Sequence, residues 1–206
     1  MATEDVRFYE HSGIDFIALG RAIVKRGVLG QKSAGGGSTI TQQLAKQLYS
    51  STAGSVTERL LQKPIEWVIA VQLERNYTKN EIIMLYLNYF DFLHNAVGIK
   101  TASNTYFSKD PKDLTILESA TLVGLCKNPS YFNPVRYSER CLERRNVVLH
   151  QMLKADYITQ AQYDTLSVKP LGLKFHVADH KEGIATYFRE YLRLYMTAKE
   201  PIRSNY

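Results

Sequence analysis

Hydrophobic residues recur along most of the chain at three- and four-residue steps, the spacing of an amphipathic helix. Two early segments show the pattern, at Phe16, Leu19 and Ile23 between residues 14 and 27 and again at Ile40, Leu44 and Leu48. A long basic helix is predicted from Ser138 to Leu153. The chain is therefore expected to be mainly α-helical.

Local signals place the helix ends. A threonine followed three residues later by glutamate or glutamine has the spacing of a capping box, and it occurs at Thr39–Gln42, Thr78–Glu81, Thr115–Glu118 and Thr159–Gln162. Proline is tolerated in the first turn of a helix. A further helix is therefore expected to begin near Pro64 and to bury Ile65, Ile69 and Leu73.

The end of the chain adds two expectations. The segment LKFHV near residue 175 alternates like a strand. A last helix is predicted over residues 182–198, where Tyr187, Tyr191 and Tyr195 share one stripe. An aromatic stripe is more often part of a core than a binding platform.

Composition narrows the class of protein. With 206 residues and 45% apolar content, the chain can form one sizeable core, and its net charge of +6 favours an anionic partner. Cys126 and Cys141 make no disulfide framework, and either a single bridge or two buried free thiols fit. The longest apolar run, IEWVIAV, is too short to cross a bilayer.

The run GGGSTITQQLAK, from Gly35 to Lys46, joins a glycine-rich loop to a polar helix start. Unpaired N–H groups at a helix N-terminus favour anions, and Lys46 would add a cation one turn inside. An ordinary mobile loop followed by an N-cap is the alternative interpretation.

Two acidic positions are candidates for chemistry. Glu4 and Asp5 precede an aromatic pair, with His11 nearby, and a carboxylate beside apolar rings can serve as a general acid or base. Glu66 lies in an apolar segment three residues after Lys63. Each has an alternative as a solvated surface acid, but glycosyl transfer usually needs two carboxylates.

The sequence indicates no metal site. His176, Asp179, His180 and Glu182 lack the helical face or cysteine spacing of metal ligands, and are expected to be surface polar residues. Nucleotide-binding glycine motifs and a serine-hydrolase elbow are also absent from the sequence.

Four segments together resemble the peptidoglycan glycosyltransferase domain, glycosyltransferase family 51, of class A penicillin-binding proteins. They are EDVRFYEHSGID, GGSTITQQLAKQ, QKPIEWVIAVQLE and TKNEIIMLYLN. The resemblance extends from Glu4 to about Gln162, and the tail EGIATYFREYLRLYM resembles the segment that leads out of this domain. Residues 1–175 are therefore expected to form a glycosyltransferase domain truncated at its N-terminus, and residues 176–206 a C-terminal helix leading toward a missing transpeptidase domain.

The resemblance implies a lysozyme-like helical fold, with a large head lobe and a small flexible jaw that faces the membrane. It implies polymerisation of lipid II by inverting transfer of the growing chain to an acceptor 4-hydroxyl, with release of undecaprenyl pyrophosphate. Glu4 would be the general base and Glu66 the second catalytic carboxylate. The residues implied to bind substrate are Asp5, His11, Ser38, Thr41, Gln43, Lys46 and Lys63.

The implied surroundings follow from the substrate. A pyrophosphate beside a carboxylate needs compensating charge, from Lys46, Lys63 or a divalent cation such as Mg²⁺ or Mn²⁺. The implied partners are lipid II, the growing glycan strand, the membrane surface and the cell-wall synthesis machinery, at the outer face of the bacterial cytoplasmic membrane. The family's N-terminal membrane helix is expected to be missing from a fragment of this kind.

Two departures from the family pattern stand beside Lys63. Gln62 replaces the usual arginine, a contact that Arg59 could supply, and Pro64 replaces a helix former. A lysozyme-like hydrolase or lytic transglycosylase is the alternative enzyme. A basic helical binding module is the alternative from another class, but the basic residues are scattered, so no nucleic-acid partner is expected.

Overall fold

The computed structural model describes residues 3–24, 37–49, 55–177 and 186–198. These residues form α1 (Phe16–Ile23), α2 (Ile40–Tyr49), α3 (Val56–Asn76), α4 (Lys79–Tyr89), α5 (Ile99–Phe107), α6 (Ile116–Leu125), α7 (Ser138–Lys154), α8 (Gln160–Ser167) and α9 (Thr186–Ala198). Within these ranges the only β pairing is an isolated bridge between Asp91 and Val97. The predicted mainly α-helical class is confirmed.

All four predicted capping boxes are present. At the starts of α4, α6 and α8 the threonine hydroxyl accepts the backbone N–H three residues on, and that residue's side chain accepts the threonine N–H. At α2 the Gln42 N–H donates to Thr39 Oγ1 over 3.1 Å and the Thr39 N–H donates to Gln42 Oε1 over 3.4 Å. The three-residue spacing therefore predicts these four helix starts correctly.

The predicted helix start near Pro64 is wrong. Helix α3 begins at Val56, because Ser55 caps it by accepting the Glu58 N–H over 3.2 Å, and Pro64 lies inside the helix. Ile65 is exposed rather than buried, whereas Leu73 is buried in the core.

The predicted strand near residue 175 does not form. Its backbone instead donates to carbonyls in the last turns of α5, from Lys174 N–H to Tyr106 O over 2.9 Å and from His176 N–H to Thr105 O over 2.8 Å. Carbonyls at a helix C-terminus lack partners within the helix, so they compete with strand pairing for these donors. In α9, Tyr187, Tyr191 and Tyr195 are exposed, so the expectation of an aromatic core stripe is also wrong.

Two hydrophobic clusters form the described core. The larger contains residues from each of the helices α2 through α6 and includes the fully buried Leu44, Ile82, Phe92 and Leu125. The smaller joins α6, α7 and α8 around Leu149. Helix α6 contributes to both clusters, so it connects the two parts of the core.

The cysteines are free and buried. Burial raises the pKa of both Cys126 and Cys141 to about 12, so each remains a thiol. Of the two alternatives left by the sequence, two buried thiols is the correct one. Among the described helices, none combines the length and the apolar character needed to cross a membrane.

The segment before α1 packs against helices α3 and α4. Phe8 is fully buried, and Lys79 of α4 lies 4.4 Å above its ring while donating to the His11 carbonyl over 2.6 Å. Gly13 has φ +94°, and a Cβ there would lie 2.9 Å from the Ala70 carbonyl group of α3. These contacts therefore hold residues 4–13 in a single conformation against the helices.

Candidate active site

A cleft of about 510 Å³ lies between the segment before α1, the start of α2 and helix α7. It brings together four residues selected from the sequence, which are Glu4, Asp5, Ser38 and Gln43. Four cationic side chains also line it, and these are Arg7, Arg21, Lys127 and Arg144. The cleft therefore combines a carboxylate with positive charge suited to an anionic ligand.

Glu4 forms an ion pair that the sequence pattern does not predict. Arg144 Nη2 donates to Glu4 Oε1 over 2.7 Å, and the side chains are only 8% and 18% exposed. Arg144 Nε also donates to the Gly124 carbonyl over 3.4 Å, and its guanidinium lies 5.8 Å from the Phe132 ring centre. Because the guanidinium is planar and its Nε is anchored to the Gly124 carbonyl, the hydrogen bond from Nη2 fixes the orientation of the Glu4 carboxylate.

One sequence signal could have identified Arg144. The buried positions of α7 include Cys141, Val148 and Leu149, so a step of three or four residues places Arg144 on the same face. A charged residue on an apolar face is rarely buried without a partner. The identity of that partner was not readable from spacing.

Asp5 and His11 anchor the Glu4 segment. Asp5 Oδ2 accepts the N–H of Ile40, at the start of α2, over 3.0 Å and faces His11 Nε2 over the same distance. His11 Nδ1 accepts the Gly13 N–H over 3.3 Å, so Nε2 carries the proton that is donated to Asp5. Asp5 lines the cleft and His11 does not.

The residues selected on α2 separate into two groups. Gln43 lines the cleft, and its Oε1 accepts the Tyr86 hydroxyl over 3.0 Å. Thr41 is fully buried and donates to Glu74 Oε1 over 2.6 Å. Lys46 is exposed and, like Thr41, is not among the residues that line the cleft.

Glu66 and Lys63 form a separate pair on α3. Lys63 Nζ lies 2.6 Å from Glu66 Oε2, and the Glu66 side chain is 3% exposed. The surface interpretation of Glu66 is therefore wrong. Neither residue is among those that line the Glu4 cleft, so their substrate and catalytic roles stay predictions.

Several expectations fall on residues that the structure does not describe. They concern the backbone of Gly35, Asp179, His180 and Glu182 and the side chain of Arg59. Gln62 and Pro64 are described, as a half-buried and an exposed side chain.

The carboxylates of the cleft have protein partners, and the divalent cation expected at the pyrophosphate stays a prediction. Glu4 faces Arg144, and Asp5 faces His11 and a backbone N–H. Asp15 caps α1 by accepting the N–H groups of Ile17 and Ala18, and lies 3.6 Å from Arg7. Within the described ranges, no three His, Cys, Asp or Glu residues gather as a metal-binding group. Mg²⁺ is commonly held by one or two carboxylates together with substrate phosphates, so such an ion would need the bound pyrophosphate as a ligand.

A family model described as Transglycosylase matches residues 1–153. Over 200 residues, the chain is 39% identical to penicillin-binding protein 1F of Bacillus subtilis and 41% identical to penicillin-binding protein 1A of Vibrio cholerae. Each alignment covers 97% of this chain but only 27% and 23% of the respective relatives. The chain therefore spans about a quarter of the length of these curated relatives.

Two further relatives carry a similar name. Penicillin-binding protein 1A of Escherichia coli is 41% identical over 180 residues, which are 87% of this chain and 20% of that protein. The crystal structure of penicillin-binding protein 1A from Haemophilus influenzae aligns with 78% of this chain and 20% of its own, at 29% identity and a TM-score of 0.47.

Proposed function

Because the chain belongs to the transglycosylase family, we propose that it is a peptidoglycan glycosyltransferase that polymerises lipid II into glycan strands. The supporting observation is the Glu4 carboxylate, held by Arg144 in a cleft with three further cationic side chains. A general base and an anion-binding surface are the two requirements of transfer from a diphosphate-linked sugar. The family match does not favour the hydrolase or the nucleic-acid binding module.

In the proposed reaction Glu4 accepts the proton of the acceptor 4-hydroxyl. The hydroxyl oxygen forms a bond to the anomeric carbon of the growing strand as the bond from that carbon to the pyrophosphate oxygen breaks. Attack opposite the leaving group inverts the anomeric centre, and undecaprenyl pyrophosphate departs with the bonding electron pair. Arg144 would hold Glu4 in the orientation that this proton transfer needs.

The leaving pyrophosphate carries charge that the cleft would balance. Lys127 and Arg21 line the cleft with exposed side chains, and Arg144 forms the ion pair with Glu4. We assign charge compensation to these cations. Lys46 does not line the cleft, so it would contact only a part of the ligand that extends beyond the cleft.

Glu66 is retained as the second carboxylate of the proposal, acting with Lys63 on the side of the leaving group. The support is its burial beside a lysine in an otherwise apolar part of α3. The Glu66→Gln variant should lower the polymerisation rate, whereas Glu58→Gln, an exposed carboxylate in the first turn of the same helix, should not. Equal rates in both variants would remove Glu66 from the mechanism.

A membrane surface is the proposed location of the reaction, at the outer face of the cytoplasmic membrane. Phe16, Ile17 and Ile23 of α1 are exposed, as are Leu61, Ile65 and Val68 of α3. On α3 these positions follow steps of four and three residues, so they share one face. Apolar helix faces with a net positive charge favour an anionic lipid surface, and cell-wall synthesis proteins are the proposed partners there.

The function is tested with labelled lipid II in detergent, with polymer resolved from monomer. The proposal predicts polymer that grows with time and preformed glycan that stays intact. Shortened glycan without polymer would support the hydrolase instead. Retention on DNA that is lost at high salt, with neither reaction, would support the binding module.

A further inference from the structure

Tyr86 is a buried residue of α4. Its hydroxyl does not line the cleft but contacts a side chain that does. It is 4% exposed, and its Oη donates to Oε1 of Gln43, which lies 43 residues away in sequence on α2. Gln43 itself lines the cleft. Tyr86 therefore affects the cleft through the orientation of one amide.

The hydrogen bond decides which end of the Gln43 amide is available to a ligand. A glutamine side chain has an oxygen that accepts and an NH₂ group that donates. Because Tyr86 engages the oxygen, the NH₂ group is the end left for the cleft. In the described part of the chain this nitrogen has no protein partner.

The surroundings of Tyr86 keep its hydroxyl a donor to Gln43. Its ring packs against Phe90, with centroids 5.7 Å apart. Burial, followed by the nearby Cys126 and Glu4, raises the pKa of Tyr86 far above its usual range, so the hydroxyl keeps its proton. The Cys126 thiol donates to the Leu122 carbonyl over 3.6 Å, and a side-chain hydrogen bond between Cys126 and the Tyr86 hydroxyl also contributes to the raised pKa of Tyr86.

We propose that Tyr86 is a positioning residue, which turns the Gln43 NH₂ group toward the cleft to bind acceptor oxygens of a diphosphate-linked glycan substrate. The inference rests on the proposed function for the identity of that substrate. Phosphate oxygens and acetamido carbonyls are the groups such an NH₂ can recognise. A Gln43 amide turned the other way would present an acceptor to oxygens that cannot donate.

The test measures binding of labelled lipid II in detergent micelles by variants that also carry Glu4→Gln, so that turnover does not complicate the measurement. Tyr86→Phe removes only the hydroxyl and should weaken binding about three- to tenfold, the effect of one lost hydrogen bond. Gln43→Ala should weaken it by at least as much. In the Gln43→Ala background, Tyr86→Phe should have no further effect.

Tyr106→Phe is the matched control. Tyr106 is also a fully buried tyrosine, and its hydroxyl donates to the Phe92 carbonyl over 2.6 Å rather than to a cleft residue. This variant should lower the melting temperature and leave lipid II binding unchanged.

A Gln43→Glu variant, which replaces the donor by an anion, should bind more weakly than Gln43→Ala.

The outcomes separate the inference from the proposed function. Equal weakening by Tyr86→Phe and Tyr106→Phe, or additive effects of Tyr86→Phe and Gln43→Ala, would overturn the positioning role. A protein with the native Glu4 that makes no polymer, yet binds lipid II with the predicted coupling, would support the positioning role and contradict the catalytic proposal.

Discussion

Arg144 and Glu4 are 140 residues apart in sequence, and their contact is the central residue-scale feature of the cleft. Arg144→Ala should lower the polymerisation rate about 100-fold, because Glu4 would lose the group that fixes its orientation. Arg144→Lys should retain part of the activity, since an ammonium pairs with Glu4 but cannot also reach the Gly124 carbonyl in the same geometry. Initial rates with lipid II provide the measurement.

Arg140→Ala is the control on the same helix. Arg140 is exposed and lies over the Tyr131 and Tyr137 rings, at 4.8 and 4.7 Å, away from Glu4. Its removal should leave the rate unchanged. A comparable loss in both variants would show that α7 charge in general, and not the Glu4 contact, is required.

Gly13 provides a residue-scale test of how the Glu4 segment is held. Gly13→Ala would place a Cβ 2.9 Å from backbone atoms of Ala70 at φ +94°, so it should destabilise the protein by about 2 kcal/mol or more. Gly20→Ala is the matched control, because a Cβ in that α1 position meets nothing within 4 Å. It should stabilise by about 0.5–1 kcal/mol.

Chemical denaturation of both glycine variants gives the free energies of unfolding. A Gly13→Ala protein as stable as the parent would contradict the close approach of the segment to α3.

The residues of the site could be predicted only in part. Glu4, Ser38 and Gln43 were identified from motifs that are continuous in sequence, and they do lie in one cleft. Helical spacing places Arg144 on the buried face of α7, but spacing does not identify Glu4 as its partner, because the two are 140 residues apart. Thr41 and Lys46 share the Gln43 motif but face elsewhere, since a helix turns successive side chains to different sides.

At the scale of elements, the capping boxes were predictable because each involves residues only three apart. Ser55 and Glu58 have the same spacing at the start of α3, but Pro64 favours a later start, and the helix continues through the proline. The segment near residue 175 has a strand pattern, but carbonyls at the end of α5 take its N–H groups. In the segment near residue 175, local propensity yields to tertiary hydrogen bonding.

Glu118 gives the element scale a pH-dependent test. Burial alone would raise the pKa of Glu118, but hydrogen bonds from Lys109 and from Thr115, with the Lys109 charge, outweigh it and hold the pKa below its usual 4.5. A carboxyl whose pKa is lower in the folded state stabilises that state above pH 4.5. The stabilisation is lost as the pH falls through the folded-state value.

The unfolding free energies of the parent and Glu118→Gln should therefore differ most at neutral pH and converge in acid. Glu143→Gln, an exposed change within α7, should show little difference at any pH. Denaturation curves between pH 3 and pH 7 give both series. A difference for Glu118→Gln that stays constant with pH would contradict its role in the cap of α6.

At the scale of the whole molecule, the exposed apolar residues of α1 and α3 lie on elements adjacent in sequence to the Glu4 segment and the Gln43 helix. Leu61→Asp or Val68→Asp should weaken binding to vesicles of phosphatidylglycerol and phosphatidylcholine about tenfold, because each change adds charge where an apolar side chain would enter the lipid. Melting temperatures should hardly change, since both side chains are exposed. Cosedimentation with vesicles measures the binding.

Val168→Asp is the control for that surface. Val168 is 82% exposed at the end of α8, outside the α1 and α3 faces. Equal losses from Val168→Asp and Val68→Asp would attribute vesicle binding to general charge rather than to the α3 face.

The proposed catalysis depends most directly on Glu4, and one measurement tests this role. Glu4→Gln keeps the size of the side chain and removes its capacity to accept a proton, whereas the exposed Glu139→Gln in the first turn of α7 removes the same charge elsewhere. With labelled lipid II at saturating concentration, we expect Glu139→Gln to make polymer at the parent rate. Glu4→Gln should bind lipid II and make polymer at least about 100-fold more slowly. Polymer formed by Glu4→Gln at the parent rate would contradict the assignment of Glu4 as the general base.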